Sequence, residues 1–223
     1  MSNYNQNEMV AATRIIKDLT TKTPTLQAVF NQDAVNISSE LDNLIKETDR
    51  LEHSWHAEVA DTDPILEESK IVFAKYRDLV IKRLPGAAKM DWQETDVKPD
   101  VFALNLEKLI GIIEDNEDKL PFAETALAEL VPISNKLDME LTEDREARRI
   151  YRNSVLAKNA ALKKAEIFFY ETRRFIRRDL GRKSPEYSQV KDKAVRKAAK
   201  ELEQQGNETL TEKQVVTEES INS

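Results

Sequence analysis

Two histidines, His53 and His56, are the first residues whose type and spacing could support chemistry. Residues three apart on a helix lie on the same side of it, so both imidazoles could reach one metal ion. Glu52 and Asp61 could add carboxylate ligands. The alternative interpretation is a polar stretch of helix that carries two imidazoles. Glu52, His53 and His56 are therefore metal-ligand candidates, although we expect no cofactor.

Other catalytic patterns are absent from the sequence. The chain has no cysteine, which excludes a thiolate nucleophile, a disulfide framework and a zinc ribbon. It has no glycine-rich phosphate loop and no nucleophile elbow. Acidic residues are plentiful, but they occur at spacings typical of a helix surface. We therefore expect a non-enzymatic protein.

Charge is distributed very unevenly along the chain. From Arg145 to Lys200 there are 18 Lys and Arg against 6 Asp and Glu, a net charge of +12. Residues 1–144 carry −14, and the segment from Glu201 onward carries −5. This separation predicts a basic surface that binds a partner. The predicted partner-binding residues are Arg145, Arg149, Arg152, Arg173, Arg174, Arg177, Arg178, Arg182 and Lys183.

Three interpretations of the basic segment remain open. It could bind an acidic protein or the acidic part of a second copy of this chain, which makes a structural or interaction protein. It could instead bind nucleic acid phosphates or an anionic membrane surface. It could also be a solvated face that the acidic helices balance internally. We expect the first of these, with possible homo-oligomers.

Composition and periodicity predict an all-α protein. Only 4 of the 223 residues are glycine, and Ala, Leu, Glu, Lys and Arg, which favour helices, are abundant. No segment alternates between apolar and polar residues as a half-buried strand does. No apolar run is long enough for a transmembrane segment, and the start resembles no signal peptide. We expect a cytoplasmic protein.

The second half of the chain is similar to the first at an offset of 96 residues. Matched apolar residues such as Phe73 and Phe169 are predicted to lie in the core. Arg149 and Arg152 stand opposite the two histidines, so a symmetric two-metal site with histidine ligands is excluded. Further matched pairs are Val35/Val131, Ile37/Ile133, Leu41/Leu137, Leu66/Leu162, Ile71/Ile167 and Leu84/Leu180.

This duplication predicts an antiparallel helical bundle of two tandem three-helix repeats. In the first repeat, Pro24 opens the second helix and Asp63-Pro64 opens the third. In the second repeat, Pro121 opens the second helix, and a turn near residues 157–160 separates it from the third. One uninterrupted helix over 137–180 is the alternative.

A basic segment without a counterpart in the first repeat follows the second one, and a polar acidic tail ends the chain. The tail has little apolar surface to bury, so we expect disorder there. The predicted domains are a first helical repeat at 1–86, a linker at 87–98, a second repeat packed on the first at 99–181, a C-terminal basic helix at 182–205 and the disordered tail at 206–223.

Overall fold

A computed structural model describes residues 4–87, 92 and 98–205. These residues form helices and contain no strand, so the protein is all-α. The predicted linker lies mostly outside the described residues, and the predicted acidic tail lies wholly outside them. The helices are α1 (Gln6–Lys22), α2 (Pro24–Arg83), α3 (Pro99–Glu114), α4 (Ala123–Phe175), α5 (Pro185–Gln189) and α6 (192–205).

Local sequence signals account for the start of α1 and α2. Asn5 caps α1 by accepting a hydrogen bond from the backbone N–H of Glu8, whose carboxylate accepts one from the Asn5 backbone. α2 begins at Pro24, where the missing backbone N–H costs nothing. The predicted helix start at Pro24 is confirmed.

α2 runs without interruption through Pro64. Pro64 and Ala60, whose carbonyl loses its helical partner, are both exposed, so water can satisfy that carbonyl. Ile65 and Leu66 are buried on the inner face of the helix, and their packing favours its continuation. The helix boundary predicted at Asp63-Pro64 is therefore wrong.

α4 is also continuous, passing through Pro132 and through residues 157–160. Pro132 is exposed, and Leu130 and Ile133 beside it are buried, as in α2. The turn predicted near 157–160 is wrong, since the helix persists there. Each predicted repeat thus holds one short and one long helix where the sequence predicts three, and the tandem repeat itself stays a prediction.

The basic segment after α4 forms two helices, α5 and α6, where the sequence predicts one. The chain leaves α4 through a π-helical turn, Ile176–Leu180, and then through Gly181 at φ 92°, a conformation that favours glycine. The break between α5 and α6 buries Val190. It also leaves Asp192 in the first turn of α6, where a negative charge is favourable.

The chain forms two compact units. Unit 1 comprises residues 1–49 and 153–223, and unit 2 comprises residues 50–152. The unit boundaries fall inside α2 and α4, so each long helix supplies one part of itself to each unit. These units are a different division of the chain from the predicted repeats.

Unit 2 is built from the second part of α2, α3 and the first part of α4. Lys75 of α2 pairs with Glu129 of α4 at 2.7 Å, and the Trp55 indole N–H donates to Asp144 of α4 at 2.9 Å. From the first of these α2 residues to the second along the chain, the residue number of the α4 partner falls from 144 to 129. The two helices therefore run antiparallel here. Core residues of unit 2 include Phe73, Tyr76, Val80, Phe102, Leu106, Leu109, Ile113, Leu130 and Leu137.

Unit 1 is built from α1, the first part of α2, the second part of α4, and α5 and α6. Arg14 of α1 pairs with Asp42 of α2 at 3.2 Å, and Lys164 of α4 pairs with Glu40 at 2.6 Å. Its core is separate from that of unit 2. It includes Met9, Ile16, Leu19, Leu26, Leu41, Phe168, Phe169, Ile176, Val190 and Val195.

In the part of the chain that the structure describes, no helix combines the length and the apolar character needed to cross a membrane.

Candidate functional site

The two histidines lie on α2 in unit 2, and both are exposed. His56 stacks on the neighbouring Trp55 with ring centres 4.9 Å apart. Trp55 is also stacked on Tyr151 of α4 at 5.5 Å, with the rings only 13° from parallel. His56 therefore extends an aromatic stack between two helices.

Glu52, the carboxylate candidate beside the histidines, accepts a hydrogen bond from the Tyr151 hydroxyl at 3.1 Å. No group of three or more His, Cys, Asp and Glu that could hold a metal is found among residues 4–87, 92 and 98–205. The metal site of Glu52, His53 and His56 stays a prediction.

The predicted basic residues are divided between the two units. Arg145, Arg149 and Arg152 are exposed on α4 in unit 2. Arg145 pairs with Asp100 at 2.6 Å, and Arg149 pairs with Glu146 at 2.5 Å. These carboxylates raise the pKa of both arginines through hydrogen bonds. Two of the three arginines therefore have their charge balanced within the unit.

The remaining predicted residues, from Arg173 to Lys183, all lie in unit 1. Arg173 is held at 2.6 Å by Asp192 of α6, and its side chain is only 22% exposed. The buried Tyr4 hydroxyl donates to the same carboxylate oxygen and lies 3.4 Å from the Arg173 guanidinium. Arg173 thus belongs to a polar cluster that joins the N-terminal segment, α4 and α6.

Both ionisable partners of Arg173 have shifted pKa values. The Tyr4 hydrogen bond and then the Arg173 charge hold the pKa of the Asp192 carboxyl below its ordinary value. Burial, and then hydrogen bonding to Asp192, raises the pKa of Tyr4. The folded state therefore favours an ionised carboxylate and a neutral phenol, and neutral pH maintains both.

We expect Asp192→Asn to flatten the acid dependence of stability. Because the pKa of Asp192 is lower in the folded state, its ionised form stabilises the fold at neutral pH. That contribution is present above the unfolded-state pKa, about 3.9 for aspartate, and is lost as pH falls through the lower folded-state pKa. Urea unfolding at about pH 7, 5 and 3 should show a variant that is less stable at neutral pH and loses less stability on acidification.

Asp33→Asn is the matched control for this substitution. Asp33 is exposed on α2 and has no ion pair within the described part of the chain. Its removal should leave the pH dependence of stability unchanged. An Asp192→Asn protein with the pH profile of the unaltered chain would contradict the role given to the Tyr4–Asp192–Arg173 cluster.

Arg174 and Arg177 are exposed beside Arg173, and neither forms an ion pair with another described residue. With Tyr170 and Tyr187 these three arginines line a cavity of about 320 Å³. We call this the arginine cavity. It is concave and aromatic-walled, and two of its guanidinium groups have no carboxylate partner within residues 4–87, 92 and 98–205.

The backbone brings the two sides of the arginine cavity together. Spacings of three and four place Tyr170, Arg173 and Arg174, at the end of α4, on one face with Arg177 of the π-helical turn that follows. After the π-helical turn and Gly181, α5 places Tyr187 opposite them. The Ser184 hydroxyl accepts a hydrogen bond from the Tyr187 backbone N–H at 3.1 Å and caps α5.

The positive surface continues past the arginine cavity. Arg178 pairs with its neighbour Asp179 at 2.9 Å and lies over the Phe175 ring. Arg182 and Lys183 are exposed, and no ion pair involves them among the described residues. We call Arg174, Arg177, Arg178, Arg182 and Lys183 together the basic surface.

Three members of this region are missing from the residues predicted from the sequence: Tyr170, Tyr187 and Asp192. The spacing of Tyr170 from Arg173, Arg174 and Arg177 is a signal that sequence analysis could have used. Tyr187 and Asp192 reach the cavity only through the turn at Gly181 and the break before α6. Local sequence patterns do not predict the direction that the chain takes after Gly181.

No family model, no curated protein and no solved structure matches this chain.

Proposed function

We propose that the protein is a non-enzymatic interaction protein that binds an acidic protein surface, on another protein or on a second copy of itself, through the basic surface of unit 1. The observation that carries this proposal is the exposure of Arg174 and Arg177 without ion-pair partners among the described residues. Exposed arginines of this kind favour carboxylates because a guanidinium donates two parallel hydrogen bonds to one carboxylate.

The residue types around these arginines also support protein binding. Tyrosine and arginine are enriched where protein interfaces concentrate their binding energy. Tyr170 and Tyr187 flank the arginines and are only partly buried, so their rings can still contact a partner. A concave surface of this composition is typical of a binding site rather than of a merely solvated helix face.

A second copy of the chain could supply the acidic surface. Residues 1–144 carry a net charge of −14, against +12 for residues 145–200. The turn after α3 in unit 2 concentrates exposed carboxylates without ion pairs in the described part of the chain: Glu114, Asp115, Glu117 and Asp118. Complementary charge of this size speeds association and selects the partner.

Sedimentation velocity of the unaltered protein tests the proposal for self-association. We expect a higher mass at about 0.05 M salt than at about 0.5 M salt, because the Debye length falls from roughly 14 Å to 4 Å over that range. A monomer at both salt concentrations excludes self-association. Pull-down with an acidic protein then tests whether the chain binds a different protein instead of a second copy of itself. Retention of that protein that does not change with salt would contradict the proposal.

Nucleic acid binding is the second candidate function, and the two tyrosines beside the arginines favour it. Bases can stack on tyrosine rings while guanidinium groups contact the phosphates. Retention on single-stranded nucleic acid should then fall steeply as salt rises, with a slope that reports the number of phosphates contacted. Weak retention on nucleic acid at low salt would argue against nucleic acid binding and would favour an acidic protein as the partner.

A further inference from the structure

Charge balance within the arginine cavity distinguishes its three arginines. The guanidinium of Arg173 is compensated by Asp192 at 2.6 Å. Arg174 and Arg177 have no such partner among the described residues, and the Lys191 ammonium adds a positive charge 5.6 Å from the ring centre of Tyr187. Within the described part of the chain, the cavity therefore presents two guanidinium groups without a carboxylate partner and a third that Asp192 holds in place.

This charge matches a phosphate monoester better than a single carboxylate. At neutral pH a phosphate monoester carries about −1.5 to −2 charges and three strong acceptor oxygens. A carboxylate carries one charge, so it balances the charge of only one of the two guanidinium groups that have no partner among the described residues. Arg174 and Arg177 can each donate a pair of hydrogen bonds to a phosphate, and clusters of arginines are a recurrent means of binding phosphorylated segments.

The tyrosine walls indicate what carries the phosphate. The cavity volume of about 320 Å³ lies at the lower end of the range for small-ligand sites, so the cavity has room for a ring as well as a phosphate. Tyr170 and Tyr187 provide aromatic surface on the α4 and α5 sides. An aromatic ring that carries the phosphate can pack edge-on or offset against them.

The cavity is also preorganised. Arg173 is fixed by Asp192, and the backbone of Tyr187 is fixed by the Ser184 cap at 3.1 Å. The π-helical turn Ile176–Leu180 directly follows Arg173 and Arg174 and contains Arg177, and such turns are frequent at functional sites. Fixed walls reduce the ordering cost of binding.

We infer that the arginine cavity binds the phosphotyrosine side chain of a phosphorylated protein segment. This inference rests on the proposed function, since it names the chemistry of the acidic partner. Arg174 and Arg177 hold the phosphate, Arg173 forms the fixed floor of the site, and Tyr170 and Tyr187 contact the ring.

Fluorescence polarisation with the full-length chain tests the inference. The probe is a labelled glycine–alanine peptide that carries one phosphotyrosine, with matched peptides that carry tyrosine, glutamate or phosphoserine. We expect the phosphotyrosyl peptide to bind at least about tenfold more tightly than each of the others, because only it offers both the phosphate and the ring.

Variants test which residues form the site. Arg174→Gln and Arg177→Gln should each weaken binding of the phosphotyrosyl peptide about tenfold, the loss expected for a charge-assisted hydrogen-bonded pair. Lys193→Gln removes one exposed positive charge outside the cavity and should change the affinity less than about twofold. Circular dichroism verifies that each variant keeps its helical content.

Several results would overturn the inference. If the tyrosyl peptide binds equally tightly, the phosphate does not contribute to binding. If the phosphoseryl peptide or adenosine monophosphate binds equally tightly, the cavity does not select phosphotyrosine. Unchanged binding by the Arg174→Gln/Arg177→Gln double variant would show that the peptide binds outside the arginine cavity. If salt-dependent association with an acidic protein persists in any of these cases, the proposed function stands and only the present inference fails.

Discussion

Charge reversal of Arg174, Arg177 and Arg178 to glutamate is expected to weaken association with an acidic protein or a second copy at least about 100-fold. The change replaces three positive charges by three negative ones on the same exposed surface, and two of the three, Arg174 and Arg177, have no ion-pair partner among the described residues. Isothermal titration or sedimentation equilibrium measures the loss directly. Arg173 is left unaltered because it is bound to Asp192, and its reversal would disturb the fold as well as the surface.

The matched control is reversal of Arg145, Arg149 and Arg152 to glutamate. It changes the net charge of the chain by the same amount, and these residues are equally exposed on α4. Arg145 and Arg149 already have carboxylate partners in unit 2, so we expect association to fall less than about fivefold. Equal losses in both triple variants would mean that overall charge, and not the basic surface, governs association. No loss in either would contradict the proposed function.

The helical class of this protein could be predicted from its composition, but the ends of the helices could not. Scarce glycine, abundant helix-forming residues and a lack of alternating patterns correctly predict an all-α protein. Pro64, the exposed proline inside α2, has the local sequence pattern of a helix start. Burial of apolar neighbours on the inner face overrides that local preference, and burial depends on tertiary contacts that the local pattern does not contain.

Matched apolar positions across the proposed repeats predict burial correctly for some pairs and wrongly for others. Phe73 and Phe169 are both fully buried, which confirms the predicted core positions. Ile71 and Ile167 are also a matched pair, but they are 73% and 52% exposed, so the predicted core position is wrong for this pair. Both residues are apolar, and neither their type nor their match across the offset of 96 residues indicates that they face solvent. The tandem repeat itself stays a prediction.

The candidate site was only partly predictable. The arginines were found because their density along the chain is visible in the sequence. Arg174 and Arg177 line the arginine cavity without an ion-pair partner in the part of the chain that the structure describes. This arrangement depends on Asp192 binding Arg173 and on Tyr187 closing the other side. Both contacts depend on the path of the chain after Gly181, which local sequence signals do not specify.

Phe169→Ala and Phe73→Ala are each expected to lower the free energy of unfolding by about 3–5 kcal/mol. Phe169 packs edge-on against Tyr4 at 5.5 Å in unit 1, and Phe73 packs against Phe102 at 5.4 Å in unit 2. Each truncation loses buried apolar contacts and leaves a cavity that rigid helices cannot fill. Urea unfolding followed by circular dichroism measures both losses.

Two matched controls separate core packing from helix propensity. Ile71→Ala and Ile167→Ala truncate exposed apolar residues on the same two helices and should change stability by less than about 0.5 kcal/mol. Alanine favours the helix slightly at both positions, so any change should be towards higher stability. A loss under about 1 kcal/mol at Phe73 or Phe169 would mean that the residue does not anchor the core of its unit.

The locations of the two losses can also be distinguished, because the cores of unit 1 and unit 2 share no residue. Native-state hydrogen exchange reports the free energy of opening at each backbone amide. Phe169→Ala should accelerate exchange first in α1 and the second part of α4, and Phe73→Ala should accelerate it first in α3. Identical exchange patterns in the two variants would show that the chain opens as one cooperative unit, in which case a single free energy of unfolding describes both substitutions.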